Sequence, residues 1–428
     1  MKLSTCFFLL IFLALFQQGC ERFQTLKEDT AEWNSSQRFV GRLQGTPSER
    51  KNAYIVLWTK NSDSSLKIQD ITTSKSDGRF AFLLKEDMEY FLGAFQDSNQ
   101  NTQLDQGELF WFYGNTTPVP IPTQSQTGAI SSALKIEQKE YFHASILDAL
   151  RLDRGTRSLI ELSTNQSIEV ILGEVTNLDD SRFDATIAEQ GLWEPKQFVR
   201  DHGIGVYFLQ PYTPAKIPLV FVHGASGTPL NWKWVIQHID TEIYQPWVFY
   251  YPSGLRLEES AEILSKILNA LKRDHNLQDL GVVAHSMGGL VARRAVQMII
   301  EENETPYISG LVTISTPWNG HAMAKLGVDH APEAIPSWYD MEPESDFIQN
   351  SFSLPLETKH LLIYGDKSKR SILLPKENDG SVSVESMTDD RALQAATESI
   401  SFSEDHMSIL RSKQVLEELE RFFSNTKD

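Results

Sequence analysis

The chain has 428 residues, too many for one ordinary domain, and its 41% hydrophobic and 10% aromatic content is enough to build real cores. A formal net charge of -18 at pH 7, with no basic run, excludes nucleic acid as a partner. Both cysteines, Cys6 and Cys20, fall in the first twenty residues, so the rest of the chain has neither thiol nor disulfide.

Lys2 makes a short basic start, and Phe7 to Phe16 is an apolar run too short to span a bilayer, ending in Gln17-Gln18-Gly19-Cys20. A small residue and then cysteine after such a run resembles the lipobox of bacterial lipoproteins, with a departure at Gln17, where leucine is usual. The resemblance implies that residues 1–20 are a signal peptide and that Cys20 carries palmitate-type acyl chains as the first mature residue. It also implies that the protein is anchored in the bacterial cell envelope. Glu21 in second place, rather than the aspartate that marks inner-membrane retention, points to the outer membrane. The other reading is a plain secretory signal and a secreted or periplasmic protein. Residues 21–36 are polar and read as a tether.

Residues 37–140 read as short strands. Phe39–Leu43, Tyr54–Trp58, Arg79–Leu83 and Tyr90–Phe95 are rich in aromatic and branched residues and separated by turn signals such as Asp77-Gly78. The pattern predicts a small β-sandwich. It resembles the transthyretin-like or carboxypeptidase-regulatory-like accessory domains of secreted proteins. Between two of its strands, Asp97, Asn99, Asn101, Gln103, Asp105 and Glu108 place oxygen side chains at positions 1, 3, 5, 7, 9 and 12 of a loop. That is the spacing of a calcium-binding loop, although Thr102 stands where glycine is usual. The alternative is an acidic, solvated hairpin connection.

Residues 141–200 read as a connecting region, with a helix over Tyr141–Leu152, strand-like runs over Asn165–Val175, and the domain boundary between 140 and 175. From 201 to 428 the pattern changes to apolar strands alternating with amphipathic helices. Pro218–Val222 and Trp247–Tyr251 are continuous apolar strands, and Ala261, Leu264, Ile267, Leu268 and Leu271 fall on one helical face. Such alternation predicts a doubly wound α/β sheet.

The chemistry is concentrated around Ala284-His285-Ser286-Met287-Gly288. An apolar strand (Leu280–Val283) precedes this segment and a helix beginning at Gly289 follows it, so Ser286 sits on a tight turn with small neighbours and a helix N-terminus behind it. A serine hydroxyl needs a base, and His321, His330, His360 and His406 follow it in the chain. His406 lies between a last strand (Glu398–Phe402) and a final helix, where a base belongs. His360 begins a strand and reads as solvent-facing, and His321 and His330 precede the acid candidates. Two carboxylates compete as the acid, Asp366 at a strand end and Asp379 in Asn378-Asp379-Gly380-Ser381-Val382. Of the two, Asp379 is preferred on its motif context.

Ala-His-Ser-Met-Gly-Gly, His223-Gly224-Ala225-Ser226-Gly227, the Asp379-Gly380 segment and Thr316-Pro317-Trp318-Asn319-Gly320 together resemble α/β-hydrolases of the bacterial lipase and esterase type, over roughly residues 203–424. The resemblance implies an α/β-hydrolase sheet with Ser286 as nucleophile, His406 as base and Asp379 as acid, and backbone oxyanion donors at Ala225 and Met287. It further implies an ester or lipid substrate and no required cofactor, with calcium confined to the N-terminal domain. The segment 318–358, with Trp318, Met323, Leu326, Trp338, Tyr339, Met341 and Phe347, reads as a cap insertion over an apolar site. Two alternatives share the sequence: an acyltransferase on the same scaffold, and a surface binding protein without turnover.

Overall fold

The computed structural model describes residues 22–50, 53–60, 66–73, 78–85, 88–98, 107–114, 119–121, 127–130, 132–135, 170–302, 307–367 and 377–424. Cys20, four of the loop positions (Asn99, Asn101, Gln103, Asp105) and the expected helix over 141–152 lie outside them. The chain divides into two compact units, Ala31–Val170, and Met1–Thr30 together with Ile171–Asp428.

The first unit is all β: β1 (Ser36–Leu43), β2 (Ala53–Lys60), β3 (Leu66–Thr73), β4 (Arg79–Lys85), β5 (Tyr90–Gln96), β6 (Leu109–Phe112), β7 (Pro120–Ile121), β8 (Thr127–Ile130) and β9 (Ser132–Lys135). They form two sheets, in the orders β4-β1-β8 and β3-β2-β5-β6-β9, with β7 pairing β5. Phe39, Phe82 and Leu84 from one sheet and Ile55, Leu57, Leu92 and Trp111 from the other share one apolar cluster. β3 carries the polar sequence Leu-Lys-Ile-Gln-Asp-Ile-Thr-Thr, so no apolar run announces it.

The second unit begins with the early residues of a helix over 22–34 (α1), which are not a tether. Leu26 is fully buried, Phe23 packs edge-on against Trp193 with ring centroids 5.5 Å apart, and Arg22 pairs with Glu189 at 3.1 Å. The polarity that suggests a flexible segment belongs to the outer face of this helix. Asp29 is the exception: it is buried, and its carboxylate accepts from the Lys196 amide at 2.7 Å and the Gln197 amide at 2.9 Å. These amides open a helix, so a residue remote in sequence supplies the N-terminal cap that the helix lacks locally.

The sheet of this unit contains β10 (Val170–Val175), β11 (Ile204–Phe208), β12 (Ile217–Val222), β13 (Tyr244–Tyr250), β14 (Leu280–His285), β15 (Ile308–Ile314), β16 (Lys359–Gly365) and β17 (Glu398–Phe402). Their order is β10-β11-β13-β12-β14-β15-β16-β17, with β11 antiparallel to β13 and every pairing from β13 to β17 parallel. The unit thus starts before residue 201. β10, α2 (Ala185–Trp193) and α3 (Pro195–His202), expected as a connecting region, belong to it. β10 is an edge strand, so it lacks the continuous apolar pattern that marks the inner ones.

α4 (Leu257–His275) buries Ala261, Leu264, Ile267, Leu268 and Leu271 on one face, carries Glu258 and Glu259 in its first turn and Lys272, Arg273 and His275 in its last, and closes on left-handed Asn276. α5 (Met287–Glu302) follows β14 directly. Between β15 and β16 come α6 (Ala322–His330), α7 (Pro336–Met341) and α8 (Asp346–Asn350), and α9 (Lys413–Ser424) closes the described chain. The chain leaves β12 for β13 on one side and crosses to β14 on the other. That reversal opens a crevice beyond the carboxyl ends of β12 and β14.

Candidate active site

Both strands bordering this crevice end in strained backbone. Ser286, the first residue beyond β14, has φ 55°, and Ser226, in the loop after β12, has φ 50°. A non-glycine residue in the left-handed region is held there only when its surroundings over-determine it. The Ser286 amide donates to the Ile314 carbonyl of the neighbouring strand at 2.8 Å, and the Ser286 carbonyl accepts from Gly289 at 2.9 Å, which starts α5. The turn fits only if its neighbours are small: a Cβ on Gly288 would run into the His223 and Val222 carbonyls, and one on Gly289 into the Thr316 side chain. Ser286 is half-buried at the mouth of the crevice.

Asp379 is completely buried. Oδ1 accepts from the Ser381 amide at 3.0 Å and the Val382 amide at 2.8 Å, and Oδ2 accepts from His406 Nδ1 at 2.6 Å. Burial by itself raises the carboxyl pKa, but the bond from His406, its charge and the two amides bring it below the ordinary aspartate value. The His406 amide also donates to the Asp379 carbonyl at 2.8 Å, so the two loops are joined by main chain as well as side chain. With Nδ1 engaged, His406 leaves Nε2 for another partner. Ser286 Oγ makes no hydrogen bond among the described residues, as is common for such pairs before substrate binds. Asp366, the competing acid, is exposed just beyond the end of β16 and makes no bond to His406 among the described residues.

Two further main-chain amides lie near Ser286 in the chain or in space. Met287 opens α5 immediately after Ser286, and Ala225 follows Gly224, where an added Cβ would lie 2.9 Å from Ser286 Cβ. Neither amide donates to a protein acceptor among the described residues. The Ala225 loop is rigid without them: Ser226 N–H donates to buried Ser253 Oγ at 3.0 Å, Gly227 N–H to the Gly224 carbonyl at 3.1 Å, and Thr228 and Asn231 form a capping box. His223 lies beneath, stacked on Tyr251 with centroids 4.5 Å apart, and burial pushes its pKa down to about 4. It is a neutral structural residue of the loop.

Two other histidines hold the site together, and neither stands out in the sequence as doing so. His285 is buried, with its pKa pushed down to about 3, chiefly by burial and then by the nearby His406. Its Nε2 donates to the His406 carbonyl at 2.9 Å, and the two rings lie 4.6 Å apart. His321 caps α6: Nδ1 accepts from the Met323 amide at 3.2 Å, so Nε2 carries the proton it donates to the Ser381 carbonyl at 3.0 Å. That bond ties the insertion between β15 and β16 to the turn cradling Asp379. His360 is not solvent-facing. It is fully buried, bonded to Thr313 Oγ1 at 2.8 Å, and its pKa is pushed down to about 3, because β16 is an inner strand with both faces covered.

Within 318–358, Trp318, Ile335 and Met341 are buried, whereas Met323, Leu326 and Tyr339 are exposed. In the all-β unit, Asp97 and Glu108 end the proposed calcium loop. Both are buried carboxylates, a donor type that suits a hard cation, and Glu108 Oε1 also accepts the Ser98 amide at 2.7 Å.

The doubly wound sheet, with a serine on the strained turn between strand and helix and its loops at the carboxyl edge, is an α/β-hydrolase fold. A family of α/β hydrolases of unknown function (DUF915) matches residues 255–426, the stretch that contains Ser286, Asp379 and His406. Among solved structures, the chain is similar to the mature lipase BlEst2 of Bacillus licheniformis, at 20% identity over 52% of this chain and 97% of that one, with a TM-score of 0.42. It is also similar to the lin2722 gene product of Listeria innocua (17%, 49% and 94%, TM-score 0.37) and to Est1E from Butyrivibrio proteoclasticus (14%, 52% and 92%, TM-score 0.37). No protein of curated function matches the sequence.

Proposed function

We propose that the chain is a serine hydrolase that cleaves carboxylic esters through an acyl-enzyme. The observation that carries this reading is the 2.6 Å bond between His406 Nδ1 and buried Asp379, in a loop held by the residue next to Ser286. In the proposed reaction Ser286 Oγ attacks the ester carbonyl and its proton passes to His406 Nε2. Asp379 keeps the imidazole in the required tautomer and stabilises it when charged. The tetrahedral oxyanion takes the Ala225 and Met287 amides, each such donor typically contributing about 3–4 kcal/mol at the transition state. His406 then protonates the leaving alcohol, and water repeats the sequence to release the acid.

The chemistry asks for no cofactor. Calcium, if bound through Asp97, Glu108 and the residues between, belongs to the N-terminal unit, which we read as a small β-sandwich. Cys20 is proposed as a lipid anchor in the bacterial envelope, placing the enzyme beside lipid or other ester substrates.

A series of p-nitrophenyl esters of rising chain length, with and without detergent, tests the reading. The native chain should turn over at least one member, and Ser286→Ala should lose roughly 10⁴-fold or more. Product analysis with an added alcohol distinguishes hydrolysis from acyl transfer. A native protein that is folded and inactive on every ester contradicts the proposal.

A further inference from the structure

Arg293, on α5, is 2% exposed, and no carboxylate lies within ion-pair distance of it among the described residues. Its Nε donates to the Ser351 carbonyl at 3.0 Å and its Cζ lies over the Phe352 ring, 4.4 Å from the centroid. Nη1 is sealed from solvent with no partner. A guanidinium taken out of water with most of its donors unused is unfavourable unless something else meets it. Burial pulls its pKa down to about 10, so it stays charged at neutral pH, and that charge adds to the effect of burial on neighbouring His360.

Arg293 lines a cavity of about 390 Å³ between α5 and the β15–β16 insertion. Leu290, Phe347 and Leu354 supply an apolar wall. Two other polar groups there are engaged: Gln297 Nε2 donates to the Leu354 carbonyl at 3.1 Å, and Ser351 Oγ to the Phe347 carbonyl at 2.7 Å. Of the acids lining the cavity, Glu258 pairs with Arg294 and Asp340 with Arg256, each at 2.7 Å, while Asp346 is exposed. Arg293 is therefore a buried cation with no carboxylate within ion-pair distance among the described residues, and apolar surface lies beside it. Ser286, Asp379 and His406 do not line this cavity.

We propose that the cavity binds a carboxylate with an aliphatic tail, its headgroup at the Arg293 guanidinium and its tail along Leu290, Phe347 and Leu354. A monoanion matches the single charge, whereas a dianion would leave an excess near Glu258 and Asp346. A carboxylate oxygen makes a charge-assisted hydrogen bond with a guanidinium N–H that a neutral headgroup cannot match. Ester cleavage releases acids of this class, but the binding itself does not depend on that reading.

The test is calorimetric titration of octanoate, acetate and octanol into the Ser286→Ala protein, alone and with Arg293→Gln or Leu354→Trp added. Leu354 is 45% exposed, so tryptophan at the cavity lip should be tolerated by the fold. One saturable octanoate site is expected, with acetate and octanol at least tenfold weaker and each added variant losing at least tenfold. Where Arg293→Gln does not fold, Leu354→Trp and the two partial ligands carry the test. Absence of saturable octanoate binding, octanol binding as tightly as octanoate, or binding unchanged by Leu354→Trp overturns the proposal. Octanoate binding in a protein that never hydrolyses an ester would remove the catalytic reading and leave this site standing.

Discussion

His285 Nε2 donates to the main-chain carbonyl of His406 at 2.9 Å, so the residue just before Ser286 holds the loop that carries the proposed base. On this account His285 positions His406 without touching substrate. His285→Ala should lower kcat by roughly 10–100-fold with little change in KM, because a displacement of about 1 Å at a reacting group can cost that much. His285→Gln, whose amide can still donate, should recover most of the loss. Steady-state kinetics of both variants check this, and an alanine variant with undiminished kcat contradicts it.

Asp379→Asn keeps the shape of the turn but can present an amide N–H to Nδ1, which favours the wrong tautomer. A fall in kcat of about 10⁴-fold is expected with the fold retained, by analogy with the equivalent change in serine proteases. Asp366→Asn should leave the rate unchanged, since Asp366 is exposed at a strand end. Measured together, the two variants decide between the carboxylates that compete in the sequence.

Three buried histidines set the acid limit of stability. The pKa values of His223, His285 and His360 are depressed to about 4, 3 and 3. Unfolded, they take up protons below about pH 6.5, while the folded state resists until much lower pH. Their contribution is full above about pH 6.5 and is lost as pH falls toward 4, with a slope approaching about 1.4 kcal/mol per pH unit for each. Asp379, depressed below the ordinary aspartate range, adds a loss of the same sign at lower pH still. Urea unfolding midpoints should drop steadily between about pH 7 and about pH 4.5, less steeply in His360→Asn; a flat profile contradicts the assignment.

Asp29→Ala removes the remote cap of α3 and should cost about 1–2 kcal/mol, seen as a lower thermal midpoint, with Asp29→Asn retaining part of it. Equal stability of native protein and Asp29→Ala would mean that α1 contributes little to this unit.

Much of the core of the second unit was legible in the sequence because its signals are local. Ser286 lies between a continuous apolar strand and a helix, Asp379 in an Asp-Gly turn, and His406 between the last strand and the last helix. The supporting contacts were not legible, because their partners are far away along the chain. His285 reaches across 121 positions to His406, His321 across 60 to Ser381, and Asp29 across 167 to Lys196. The burial of His360 is not legible for a related reason: it is decided by β15 and β17 on either side of its strand, not by its own sequence. α1 reads as a tether in the sequence because a docked helix with a polar outer face resembles a linker, and β10, a strand-like run in the sequence, reads as part of a connecting region because an edge strand lacks a continuous apolar run.

The central claim is that Ser286 is an activated nucleophile, and a fluorophosphonate probe followed by peptide mass mapping tests it most directly. The account predicts one adduct on the native protein, located at Ser286, absent from Ser286→Ala and much slower to form in Asp379→Asn. A folded native protein that takes up no probe, or carries it on a different serine, contradicts the account.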